Sequence, residues 1–150
     1  MIKNIILIII STLLFSCSIN RHLEGNAYIL KKNTVTLDNS TTKNINVTKK
    51  EINDIIKQKP NKRITGLIPF HLWIYTLSNP TKNNWINNYL RKIGEAPVIL
   101  EKKLTQKSSL QIKSYFENNG YFASTIKDTV IYKNKKAYVN YHIKTGGLYF

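Results

Sequence analysis

The chain has 150 residues, enough for one domain with a real core, and its 23 Lys and Arg against 8 Asp and Glu give a formal charge of +15. Nearly all of that charge is lysine, with arginine only at Arg21, Arg63 and Arg91; the clustered arginine forks of a base reader are missing, so no nucleic acid is expected as partner. The single cysteine, Cys17, excludes an internal disulfide framework.

Met1-Ile2-Lys3-Asn4 is a short polar start with one positive charge, and the apolar run over 5–15 has the length of a signal h-region. It is too short to span a bilayer, which takes roughly 18–20 apolar residues. The run stops at Leu14-Phe15-Ser16-Cys17, which resembles a lipobox, although Phe15 is bulkier than is usual there. The resemblance implies that Cys17 accepts a diacylglyceryl group and that cleavage between Ser16 and Cys17 removes the signal, 1–16. Residues 17–24 then form a lipidated tether, and two or three acyl chains anchor stably where one does not. Ser18-Ile19-Asn20-Arg21 lacks an acidic surface-export run, which favours an outer-membrane anchor facing the periplasm of a bacterial envelope. The alternative is an ordinary secretory peptide with a chance cysteine, or an uncleaved anchor.

In chain order, Asn26-Ala27-Tyr28-Ile29-Leu30 and Thr34-Val35-Thr36-Leu37-Asp38 read as a strand with room for a fold at Lys32-Asn33, and the polar stretch 39–46 as a loop. Thr48-Lys49-Lys50-Glu51 is a capping box that opens a helix with Ile52, Ile55 and Ile56 on one face and Pro60 at its close. Phe70, Trp73, Ile74 and Leu77 fall at i, i+3, i+4 and i+7, so a short helix starts near Pro69. Its apolar face serves either core packing, the more usual role, or contact of Phe70, Trp73 and Ile74 with lipid headgroups. Thr81 is placed to cap a third helix, with Trp85, Tyr89 and Ile93 on one face and Gly94 as its stop.

Pro97-Val98-Ile99-Leu100 is extended, and Thr105 or Ser108 caps the next helix, which buries Ile112, Tyr115 and Phe116 and ends at Asn119-Gly120. Residues 121–132 are rich in β-branched and aromatic types, 133–136 form a turn in which Asn134 tolerates positive φ, and Ala137, Val139, Tyr141 and Ile143 alternate with polar residues in a returning strand.

This order of strand, helix, inserted helical segment, helix and hairpin resembles a POTRA domain, the β-α-α-β-β module that precedes the barrel in outer-membrane assembly factors of the BamA and TamA type. The residues most similar to the family are Tyr115-Phe116-Glu117-Asn118-Asn119-Gly120-Tyr121-Phe122 and Lys136-Ala137-Tyr138-Val139-Asn140-Tyr141-His142-Ile143-Lys144-Thr145-Gly146. With the lipobox, the likeness is nearest to the lipidated TamA-like factors of Bacteroidota, to which Leu67-Ile68-Pro69-Phe70-His71-Leu72-Trp73-Ile74-Tyr75 is also similar. The resemblance implies an α+β fold, a small mixed sheet covered by helices, in a domain over 25–146 with a helical insertion at about 63–100. Residues 147–150 look like the start of a following module, so a truncated product of a longer barrel protein is expected. The implied role is a periplasmic assembly module that binds unfolded outer-membrane clients or assembly-complex subunits by β-augmentation. The implied edge is the second strand, with Thr125, Lys127, Thr129 and Ile131; the alternatives are a solvated edge, an edge blunted by Lys127, or a stand-alone envelope lipoprotein of structural or membrane-surface role.

Catalytic signals are lacking. Glu24, Asp38, Glu51, Asp54, Glu95, Glu101, Glu117 and Asp128 form no acid–base pair by spacing, and His22, His71 and His142 lack ligand spacing. With no phosphate loop or nucleophile elbow either, neither an enzyme nor a cofactor, metal or small-molecule substrate is expected.

Overall fold

The computed structural model describes residues 23, 25–38, 47–64, 66 and 68–145. Ser16 and Cys17, with the signal and most of the tether, lie outside the described residues, as do 147–150. The fold is α+β, in the order β1 (Ile29–Leu37), α1 (Lys49–Ile55), α2 (Phe70–Leu77), α3 (Trp85–Ile93), α4 (Lys102–Asn118), β2 (Thr125–Lys133) and β3 (Lys136–Lys144). The chain divides into two compact units, one containing 61–97 and the other 28–60 with 98–150.

The larger unit is built on a sheet in the order β1-β3-β2, with β1 parallel and β2 antiparallel to β3. β3 obeys the period of two: Ala137, Val139, Tyr141 and Ile143 are buried, while His142 and Lys144 are exposed. Onto the apolar face pack Ile52 of α1 and Ile112 and Phe116 of α4, all three fully buried, with Leu30, Val35 and Tyr121 beside them. Tyr115 is half-buried at the rim. Burial raises the pKa of the Tyr141 phenol, while the hydroxyls of Ser108 and Thr105 oppose that rise.

β1 does not fold at Lys32-Asn33. It continues as one strand with a register shift between Leu30 and Lys32, which absorbs an extra residue and keeps Val35 on the buried face. The capping box forms as expected: the Thr48 amide donates to Glu51 Oε2 at 2.7 Å and the Glu51 amide donates to Thr48 Oγ1 at 3.3 Å. The Thr48 amide, and after it the Thr48 hydroxyl that donates to the same Oε2 at 2.9 Å, hold the Glu51 carboxyl below its ordinary pKa. Helix α1 stops at Ile55, where Ile56 turns extended, well before Pro60.

Neither Thr105 nor Ser108 caps α4. The helix begins at Lys102, and both hydroxyls lie inside it, donating back to the carbonyls of Glu101 and Leu104 at 3.5 and 2.8 Å. Ser108 Oγ also accepts the Lys57 amide at 3.0 Å, tying the end of α1 to the middle of α4. At the other end Gly120 takes φ +86°, and its amide and that of Tyr121 return to Glu117 and Phe116. Residues 121–124 are a turn rather than strand: Tyr121 folds under Phe116 with rings 5.8 Å apart, and Ser124 Oγ donates to its carbonyl at 2.6 Å.

In the smaller unit α2 starts after Pro69, as the spacing implies. Asn84, not Thr81, caps α3, its side chain accepting the Asn87 amide at 3.0 Å; the Thr81 hydroxyl is turned to Asn79 Oδ1 at 2.7 Å. Gly94 ends α3, and it has to be glycine: a Cβ there would lie 2.6 Å from the Tyr75 nitrogen and 2.7 Å from its Cα. The ends of the unit are tied by Asn61, which donates from Nδ2 to the Ala96 carbonyl at 2.7 Å. Among the described residues no helix is long and apolar enough to cross a membrane.

Candidate functional site

The two outer strands of the sheet differ in how their edges are covered. Beside β1, the Leu30 amide donates to Val98 and the Leu100 amide donates to Tyr28, both at 2.8 Å, so the extended segment around Ile99 shields the first part of that edge. Farther along, Asn33 Nδ2 donates to the Gln58 carbonyl at 2.7 Å. On the far side of β2 no strand pairs with it among the described residues. Among the described residues β2 is therefore an edge that no strand covers along its length.

Which groups that edge offers follows from the hairpin. Lys133 pairs with Lys136 across Asn134 and Lys135, whose φ values of 49° and 57° mark a type I′ turn. A two-residue turn of this type makes its flanking residues a hydrogen-bonded pair, and such pairs then alternate along an antiparallel ladder. Lys133, Ile131, Thr129, Lys127 and Thr125 thus turn their N–H and C=O groups inward to β3. Tyr132, Val130, Asp128 and Ile126 turn theirs outward.

The residues of β2 divide into two roles. Thr125, Lys127, Thr129 and Ile131 do stand together on one row, with Ile131 at 62% exposure, but they offer side chains on the uncovered face of the sheet rather than edge amides. Their amides are committed to β3 by the turn. The outward set was missed because a strand's hydrogen-bonding phase is set by its turn; the two-residue spacing of Asn134-Lys135 was the signal that could have found it. The outward residues keep their side chains on the helix face: Asp128 Oδ1 accepts from Ser109 Oγ at 2.9 Å, and Tyr132 packs tilted against Tyr28 with centroids 4.5 Å apart.

Beside the edge the uncovered face carries a polar row. Thr36 Oγ1 lies 2.9 Å from His142 Nδ1, and Asn140 Nδ2 lies 3.0 Å from His142 Nε2. Both ring nitrogens of His142 are thus held by side chains of this row. An open depression of about 500 Å³ lies over this row, lined by Thr36, Asp38, Thr125, Lys127, His142 and Lys144 among others. Two lysines against one aspartate make it suited to a polar or acidic side chain of a strand laid along the edge. His142 is exposed and held by neighbours, in a surface role. Among the described residues no three His, Cys, Asp or Glu side chains come together as a metal site.

Of the residues expected to face lipid, Phe70 and Trp73 are 41% and 43% exposed and Ile74 is half-buried. Core packing of that whole face is thereby overturned: α2 buries Leu72 and Thr76 instead.

The chain matches no protein-family description, no curated protein and no solved structure.

Proposed function

We propose that the chain is a lipid-anchored, POTRA-like module of the bacterial envelope, held in the outer membrane through Cys17 and facing the periplasm. In this reading β2 takes up extended segments of unfolded outer-membrane clients, or of partner subunits of an assembly or translocation machine, as a further strand. The observation that carries it is the free β2 edge, with four alternate residues presenting main-chain groups. Main-chain pairing needs no particular client sequence, which suits a protein that serves many clients. The strand order and the parallel pairing of β1 with β3 support the likeness, and the lipobox spacing supports the anchor. Lys127 and Lys133 on the strand hinder self-pairing of two such edges without blocking a client of opposite charge.

The test has two parts. A photo-reactive residue at Lys127 or Ile131, expressed in an envelope-bearing bacterium, is expected to capture outer-membrane polypeptides, and a control at Lys113 on α4 is not. Intact mass is expected to show a chain beginning at acylated Cys17 and to lose the acyl mass in Cys17→Ala. Absence of strand-specific adducts removes the capture role; an unacylated Cys17 removes the anchor.

A further inference from the structure

Helices α2 and α3 turn much of their apolar surface outward. In α3 the apolar residues Trp85, Ile86, Tyr89 and Ile93 fall at i, i+1, i+4 and i+8, on one side of the helix. That side faces solvent: Trp85 is 78% exposed and Tyr89 58%, while the residue that α3 buries is the polar Asn87. In α2 Phe70, Trp73 and Leu77 are exposed, while Leu72 and the polar Thr76 are buried. An amphipathic helix in water normally buries its apolar stripe, because each such side chain gains by leaving water. Two adjacent helices that both expose large apolar side chains mark a surface that something else covers.

Two features say what covers it. The first is composition: the chain's only tryptophans, Trp73 and Trp85, both stand here with Tyr89 and Phe70, and rings with an apolar body and one polar tip collect at membrane interfaces. The second is charge. Over 61–97 the basic residues Lys62, Arg63, Lys82, Arg91 and Lys92 meet a single acid, Glu95. That acid is turned into its own unit, where Oε2 accepts the Lys62 amide at 3.2 Å. Lys82 and Lys92 are exposed, Lys92 on α3 itself three residues after Tyr89, and lysines near an anionic bilayer are attracted to it.

We propose that the face built from Phe70, Trp73, Trp85, Ile86 and Tyr89 docks the smaller unit on an anionic lipid surface, its helices lying in the interface plane. The docking site is a second lipid contact, separate from Cys17 and from the β2 edge. It stands on the exposed face alone and survives if the acyl anchor or the client role fails.

The tryptophans report on this site without a label. The chain from residue 18 onward, which keeps every described residue and has neither signal nor acyl group, is titrated with vesicles of phosphatidylglycerol mixed with phosphatidylethanolamine, and with vesicles of phosphatidylcholine alone. With the anionic vesicles the tryptophan emission is expected to shift to the blue and to be quenched by brominated acyl chains. The double variant Ile86→Ser, Tyr89→Ser keeps both reporters and lies on exposed positions, so the fold is retained by circular dichroism while vesicle affinity falls at least about tenfold. No blue shift with anionic vesicles overturns the proposal, as does equal binding to phosphatidylcholine. A blue shift that grows with protein concentration without vesicles, with dimers in sedimentation, assigns the face to a second copy and also overturns it.

Discussion

Lys133 faces Lys136 across a two-residue turn, and this one pairing sets the direction of every amide in β2. Proline distinguishes the two sets, because it removes a single N–H. Val130→Pro deletes an outward donor and is expected to cost about 1 kcal/mol of stability through altered packing, yet to abolish strand capture at the edge. Thr129→Pro deletes a ladder donor and leaves the Asn140 carbonyl short of a partner, so it is expected to cost about 1–3 kcal/mol and to loosen the hairpin. Urea unfolding together with cross-linking yield from Lys127 separates the two outcomes.

Gly94 sits where α3 ends against the backbone of Tyr75. Gly94→Ala forces a shift between α2 and α3 and is expected to destabilise the smaller unit by about 1–3 kcal/mol. Because Trp73 and Trp85 both lie in that unit, tryptophan emission in a urea titration reads the loss directly, while amide exchange of Tyr141 in the larger unit is expected to stay slow.

Ser108 is fully buried and has two backbone partners, the Leu104 carbonyl and the Lys57 amide. Ser108→Ala leaves that amide without its acceptor and is expected to cost about 1–2 kcal/mol, measured by the urea midpoint at unchanged slope. Were Ser108 a dispensable helix cap, Ser108→Asp would be tolerated; here it puts a charge into the core and is expected to prevent folding.

The Glu51 carboxyl has its pKa lowered in the folded state by the hydrogen bonds from Thr48. A lowered folded pKa means a contribution present above the unfolded value and lost as pH falls through the folded one. Stability of α1 is therefore expected to decline as pH drops below the ordinary carboxylate range, and Glu51→Gln is expected to flatten that decline. Burial acts in the opposite direction on Tyr141, raising its pKa. Its contribution is present below the ordinary tyrosine pKa and lost as pH rises above it, which Tyr141→Phe is expected to remove from the alkaline limb.

The sequence carries the fold where one physical requirement has one chemical answer. The strict alternation of Ala137, Val139, Tyr141 and Ile143, the reciprocal pairing of Thr48 with Glu51 and the positive φ at Gly120 are of this kind. It misleads where a residue type serves two purposes. Thr105 and Ser108 suit a cap and an internal back-bond equally, and Thr81 and Asn84 both suit a cap three residues apart. The apolar spacing of Phe70, Trp73, Ile74 and Leu77 defines a face but not which way it points, and the same holds for Trp85 and Tyr89. For the β2 edge, the row of Thr125, Lys127, Thr129 and Ile131 was legible from the period of two. The alternation of free and paired amides was not, because it depends on the turn at Asn134 and Lys135.

Capture of an extended client at β2 is tested most directly by amide hydrogen exchange of the isotope-labelled chain, from residue 18 onward, with and without a peptide copied from one strand of an outer-membrane barrel. The expected result is new protection at Ile126, Asp128, Val130 and Tyr132, while Lys127, Thr129 and Ile131, already bonded to β3, change little. No new protection along β2, or protection confined to another element, would contradict it.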